Sequence, residues 1–169
     1  ARQRLSTVYM PGHKITMLPD EVVQAYTLQD GRDCPAVSLY VTFDEETLVV
    51  RETQTRLERV PVAVNLRHDE LDDHVTDSWL AGTEARAVPG HVAPLRDPLA
   101  FLWRLAQHLK GLREIVRGKP ETFSRPDYNF RLLGHDGGEP TGTEQVEITT
   151  RRRGAPLDLI VSEAMILAN

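Results

Sequence analysis

Ala36-Val37-Ser38-Leu39-Tyr40-Val41-Thr42-Phe43 decides how the chain is read. Val37, Leu39, Val41 and Phe43 alternate with Ser38, Tyr40 and Thr42, the period-two pattern of a half-buried strand. Asp44-Glu45-Glu46 supplies a turn, and Thr47 to Leu57, rich in β-branched residues, reads as the returning strand. Val60, Val62, Val64 and Leu66 alternate again. Pro61 removes one ladder donor from this third run, which is therefore expected to be irregular, at an edge, or just beginning. Together the three runs predict an antiparallel meander.

Downstream the period changes. Leu71, Val75 and Trp79 fall four apart from Asp69 onward, predicting a helix that Ala81-Gly82 ends. Thr83 to Pro98, with Pro89-Gly90, Pro94 and Pro98, reads as a loop and the most mobile or variable region. The strongest helix spans Leu99 to Val116, with Leu99, Leu102, Leu105, Ala106, Leu109, Leu112 and Val116 on one stripe and Arg104, His108, Lys110, Arg113 and Glu114 elsewhere; Gly118 and Pro120 stop it. Tyr128 to Leu133 and Glu144 to Thr150 flank Gly134-His135-Asp136-Gly137-Gly138 as a β-hairpin. Pro156 opens a final helix that is apolar on nearly every face, as expected inside a core. The fold class expected is α+β, an antiparallel meander and a hairpin packed with helices.

Upstream lies Tyr9-Met10-Pro11-Gly12-His13-Lys14-Ile15-Thr16-Met17-Leu18-Pro19. Two prolines and a glycine bar a helix or a central strand, yet the segment is apolar. It reads either as an ordered loop packed on the core or as the lining of a site, with Met10, Ile15, Met17 and Leu18 as core anchors. Asp20 to Tyr26 is expected to form a short helical turn capped by Asp20.

The 169 residues carry a formal charge of −5, which argues against an overall basic nucleic-acid surface while leaving room for a local cationic groove. Cys34 is the only cysteine, which excludes an intrachain disulfide and a thiolate zinc site and favours a reducing, cytoplasmic setting. No apolar run approaches the roughly 20 residues that span a bilayer, so no membrane association is expected. The absence of an initiator Met and the apolar last helix suggest a piece of a larger protein.

The sequence contains no self-sufficient catalytic set. Asp69-Glu70-Leu71-Asp72-Asp73 could hold a divalent cation, but acids in a helix's first turn complement its dipole and successive residues diverge, which favours a solvated face. The six histidines show no ligand spacing for zinc, and no hydrolase elbow or phosphate-binding glycine loop occurs. Arg151-Arg152-Arg153 precede a helix whose dipole they oppose. They read either as a grip on a phosphate beside the helix N-terminus or as a solvated strand end. Tyr9, Phe123 and Tyr128 are candidate stacking surfaces for bases, with core packing as the plainer reading.

Three stretches carry a resemblance: Tyr9-Met10-Pro11-Gly12 with Met17-Leu18-Pro19; Phe123-Ser124-Arg125-Pro126-Asp127-Tyr128; and Ile160-Val161-Ser162-Glu163-Ala164-Met165-Ile166-Leu167-Ala168-Asn169. In that order and spacing they resemble the ribonuclease II / ribonuclease R family, specifically the middle part of its RNB catalytic domain. The resemblance covers essentially the whole chain, although Thr83 to Leu99 matches nothing in particular. Residues 1–169 are accordingly expected to be one central segment of that domain, without an internal boundary.

The resemblance implies a monomeric, processive 3′→5′ exoribonuclease that threads single-stranded RNA down a channel and hydrolyses it, with magnesium, to nucleoside 5′-monophosphates. Tyr9 matches the family tyrosine that packs against bases at the RNA 3′ end. Phe123, shifted by one residue relative to Arg125-Pro126-Asp127-Tyr128, matches the phenylalanine that closes the other side of the stack. The family often has Glu-Glu near the RNA path at the start of the last motif; here Ser162-Glu163 keeps the second acid. Arg152 and Arg153 complete the RNA-contact candidates. The magnesium-binding aspartates of the family lie upstream of the tyrosine motif and its transition-state arginine lies downstream of the last helix. This segment is thus expected to supply channel wall and no metal ligand, to need the remainder of the same domain, and to be inert alone. The alternative is a non-catalytic RNA-binding or regulatory protein that retains the scaffold, motivated by Ser162 and the shifted Phe123. A plain α+β interaction domain would show no RNA affinity.

Overall fold

A computed structural model describes residues 5–85, 87–122, 126–134, 140–151 and 154–169. The elements in order are β1 (Val8–Met10), β2 (His13–Ile15), α1 (Asp20–Tyr26), β3 (Arg32–Phe43), β4 (Val50–Val62), α2 (His68–Leu71), α3 (Asp77–Ala81), a 3₁₀ turn (Ala93–Leu95), α4 (Arg96–Arg117), β5 (Asp127–Leu133), β6 (Gln145–Arg151) and α5 (Pro156–Ala168). The strands pair as three two-stranded hairpins, β1–β2, β3–β4 and β5–β6. The α+β class with antiparallel strands is as expected.

The meander resolves into one long hairpin, because β4 joins the second run to the first half of the third and ends at Val62, leaving Val64 and Leu66 outside any strand. Pro61 sits near its end, and in a two-stranded sheet one edge of each strand is free of ladder bonds, so a missing donor is tolerated. Asp44 fixes the turn. Its Oδ1 accepts from Thr47 N at 2.9 Å and Thr47 Oγ1 at 2.8 Å, while Arg51 Nη2 donates to Oδ2 at 2.7 Å. These bonds, the Arg51 contact foremost, hold the Asp44 carboxyl down at about 2.

The chain divides into two compact units. One comprises Ala1–Ala36, Leu57–Val64 and Arg125–Arg152. Within it Gly31 N donates to Val62 O at 2.8 Å, and the buried Cys34 donates through Sγ to Thr27 O at 3.2 Å. Helix α1 begins at Asp20 itself: Pro19 occupies the cap position, its carbonyl accepting from Val22 and Val23, and no side chain caps the turn. Met10, Met17 and Leu18 lie at the surface and do not anchor a core; only Ile15 of that set is half-buried.

In the β5–β6 hairpin of the same unit, Tyr128 opposes Thr150, Phe130 opposes Ile148 and Leu132 opposes Val146. Directly opposed residues share a face, so these six form an apolar side, and Asn129–Thr149 and Arg131–Glu147 a polar one.

The second unit comprises Val37–Arg56, Asn65–Ser124 and Arg153–Asn169. Its core joins Leu71, Val75, Trp79, Leu80, Val92, Leu99 and Leu157. The residues spaced four apart are buried, but they do not lie on the one helix expected. Thr76 breaks it: its hydroxyl accepts from Trp79 N at 3.2 Å, starting α3 afresh. Gly82, at φ +74°, closes α3 in the left-handed conformation.

The stretch read as a mobile loop is anchored, with Val92 wholly buried and Pro98 inside the first turn of α4, where its missing N–H is harmless. Helix α4 buries Leu99, Leu105 and Ala106, whereas Leu102, Leu112 and Val116 lie at the surface. Helix α5 is not enclosed either: Leu157, Leu159 and Glu163 face inward, and Val161, Met165 and Ile166 outward.

Candidate RNA-contacting residues

Tyr9 stands on β1, whose register with β2 is Val8 opposite Ile15, Tyr9 opposite Lys14 and Met10 opposite His13. Pro11 and Gly12 form the connection. Gly12 has φ +69°, and proline followed by a left-handed glycine suits the two central positions of a type II turn. Thr7 Oγ1 accepts from Met17 N at 3.1 Å and ties the hairpin to the chain that leaves it. The Tyr9 ring is 78% exposed, so a flat surface is presented by a backbone with little freedom.

Glu163 lies elsewhere, in the second unit, and is only 2% exposed. Its carboxylate is ion-paired with Arg113 Nη2, which also bonds Glu121 Oε2 at 2.7 Å. Arg117 Nη1 reaches Glu121 Oε1 at 3.6 Å; Lys110 Nζ binds Glu114 Oε1 at 2.8 Å, and that oxygen also accepts from Glu121 N at 2.7 Å. The two carboxylates hold the Arg113 guanidinium more firmly protonated than usual, Glu121 contributing most, and Arg113 in turn keeps Glu121 below the ordinary carboxylate range. One guanidinium therefore fastens α4 both to α5 and to the segment that leads toward Phe123.

Phe123, Arg152 and Arg153 fall outside the described residues. Tyr9 and Glu163 belong to different units. Glu163 is held inside its unit, with its visible chemistry directed at Arg113. Ser162 beside it is exposed.

The sequence reading missed Arg113 and Lys14. Arg113 follows Ala106 by seven residues, hence on the buried stripe of α4, and Glu163 follows Leu159 by four on the buried stripe of α5. Opposite charges on two inward faces were the available signal. Lys14 required the hairpin register.

A groove of about 470 Å³ in the second unit is lined by Asp77, Trp103, Gln107, Lys110, Glu114 and Leu159, with Lys110 and Glu114 already engaged with each other. Among the described residues there is no group of three or more His, Cys, Asp or Glu side chains placed to hold a metal ion. No described helix is long and apolar enough to cross a membrane.

The chain is 27% identical over its whole length to Exoribonuclease 2 of Edwardsiella piscicida, 28% to that of Haemophilus ducreyi and 29% to that of Yersinia pestis strain Pestoides F. It spans about a quarter of these relatives, 24%, 23% and 24% of their lengths. No solved structure matches it. The family model described as the RNB domain matches residues 1–169, and the chain belongs to that family.

Proposed function

We propose that this chain is the central segment of the catalytic domain of a 3′→5′ exoribonuclease, which hydrolyses single-stranded RNA processively to nucleoside 5′-monophosphates. The observation that carries the reading is Tyr9, an exposed ring on a proline-and-glycine hairpin, in a chain similar end to end to proteins named Exoribonuclease 2. A fixed aromatic face suits an enzyme that must accept any base, because stacking is worth about 1–3 kcal/mol per base and ignores sequence. Tyr9 packs against the RNA end, with Phe123 as its counterpart, and Arg152 and Arg153 contact phosphates.

In this proposal magnesium and its ligands belong to the remainder of the domain, and residues 1–169 alone are inert. A second reading, an RNA-binding or regulatory protein without hydrolysis, draws on the exposed Ser162 where the family often carries an acid. Incubating the full-length protein with magnesium and 5′-labelled single-stranded RNA separates them. Conversion of the labelled strand to a short 5′ end product is expected, with nucleoside 5′-monophosphates recovered from a uniformly labelled substrate; retention of intact RNA in a protein complex would replace the first reading by the second.

A further inference from the structure

We propose that Lys14 binds the phosphate of the nucleotide whose base stacks on Tyr9, an inference that rests on the reading of Tyr9 above. Tyr9 and Lys14 are directly opposed across the β1–β2 ladder. Opposed side chains leave a sheet on the same face with Cβ atoms about 4.5–5.5 Å apart, so ring and ammonium project side by side. Val8–Ile15 and Met10–His13, the flanking pairs, project from the other face.

Both members of the pair are exposed, and among the described residues no carboxylate pairs with Lys14. A nucleotide offers a flat base and, one sugar away, an anionic phosphate. A ring beside a cation that no described carboxylate engages offers the complementary pair. The chain carries a formal charge of −5, so a general basic surface does not account for a cation at this place.

The test measures binding of the full-length protein to a single-stranded oligoribonucleotide in EDTA, which suppresses hydrolysis, across a range of salt concentrations. Lys14→Gln is expected to weaken binding about fivefold at low salt and to reduce the slope of log K against log salt by about 0.7, the share of one phosphate contact on a single strand. Lys14→Arg should retain the slope. Tyr9→Ala should weaken binding and leave the slope unchanged, since stacking releases no counterion. If Lys14→Gln changes neither affinity nor slope while Tyr9→Ala still weakens binding, the phosphate role is wrong and the stacking role stands. If neither substitution has an effect, the reading of Tyr9 fails and this inference with it.

Discussion

Replacing Arg113 by methionine leaves the Glu163 carboxylate, 2% exposed, without its cation. Removing one partner of a buried ion pair costs about 3–5 kcal/mol, because the other charge stays desolvated. Glu121 keeps Arg117 and is partly solvated, so its own loss adds little. The expected destabilisation is about 3–4 kcal/mol, read as hydrogen exchange in α5 roughly 10²–10³-fold faster than in the unmodified protein.

Adding Glu163→Gln to Arg113→Met removes the stranded charge and should recover most of the loss at pH 7. The stranded-charge explanation is refuted if Arg113→Met costs less than about 1 kcal/mol, or if adding Glu163→Gln recovers none of the loss.

Two further substitutions test the local architecture. Gly82→Ala puts a Cβ against the Arg96 guanidinium at a residue with φ +74°, where an L side chain costs about 1–2 kcal/mol; exchange over Asp77–Ala81 should accelerate, and an unchanged rate would contradict the strained turn. The Asp44 carboxyl should titrate near 2 in an NMR pH series. Being lowered on folding, its contribution to the β3–β4 turn is full above the unfolded value and lost as pH falls through about 2, and Arg51→Gln should move the midpoint toward 3.8.

Periodicity made the class legible: the alternation from Val37 to Phe43 marks a strand, although Val37 and Leu39 lie exposed, and the four-residue spacing of Leu71, Val75 and Trp79 marks residues that the structure buries on and between two helices rather than on one. It could not tell where elements break, because those breaks rest on single polar side chains. Thr76 competes with the helix by capping a new one, and Pro61 joins a strand once that strand has a free edge. Apolar stripes also overstated burial. Leu112, Val116, Val161 and Met165 have the right period and still face outward, since a stripe records what a helix can bury and not what covers it. The charged centre of the second unit is not legible from periodicity, because Arg113 reads as part of the polar face of its helix and Glu163, through the resemblance, as an acid near RNA, although both positions lie among buried ones. Tyr9 was found through resemblance, and its neighbour Lys14 only through strand register.

The central claim is that Tyr9 is a mount for the RNA end. It is tested most directly by the length of the last fragment that full-length protein carrying Tyr9→Ala leaves from 5′-labelled single-stranded RNA in magnesium. The account predicts residual fragments several nucleotides longer than those of the unmodified protein, with hydrolysis of long substrates continuing. Fragments of unchanged length from a folded variant would contradict it.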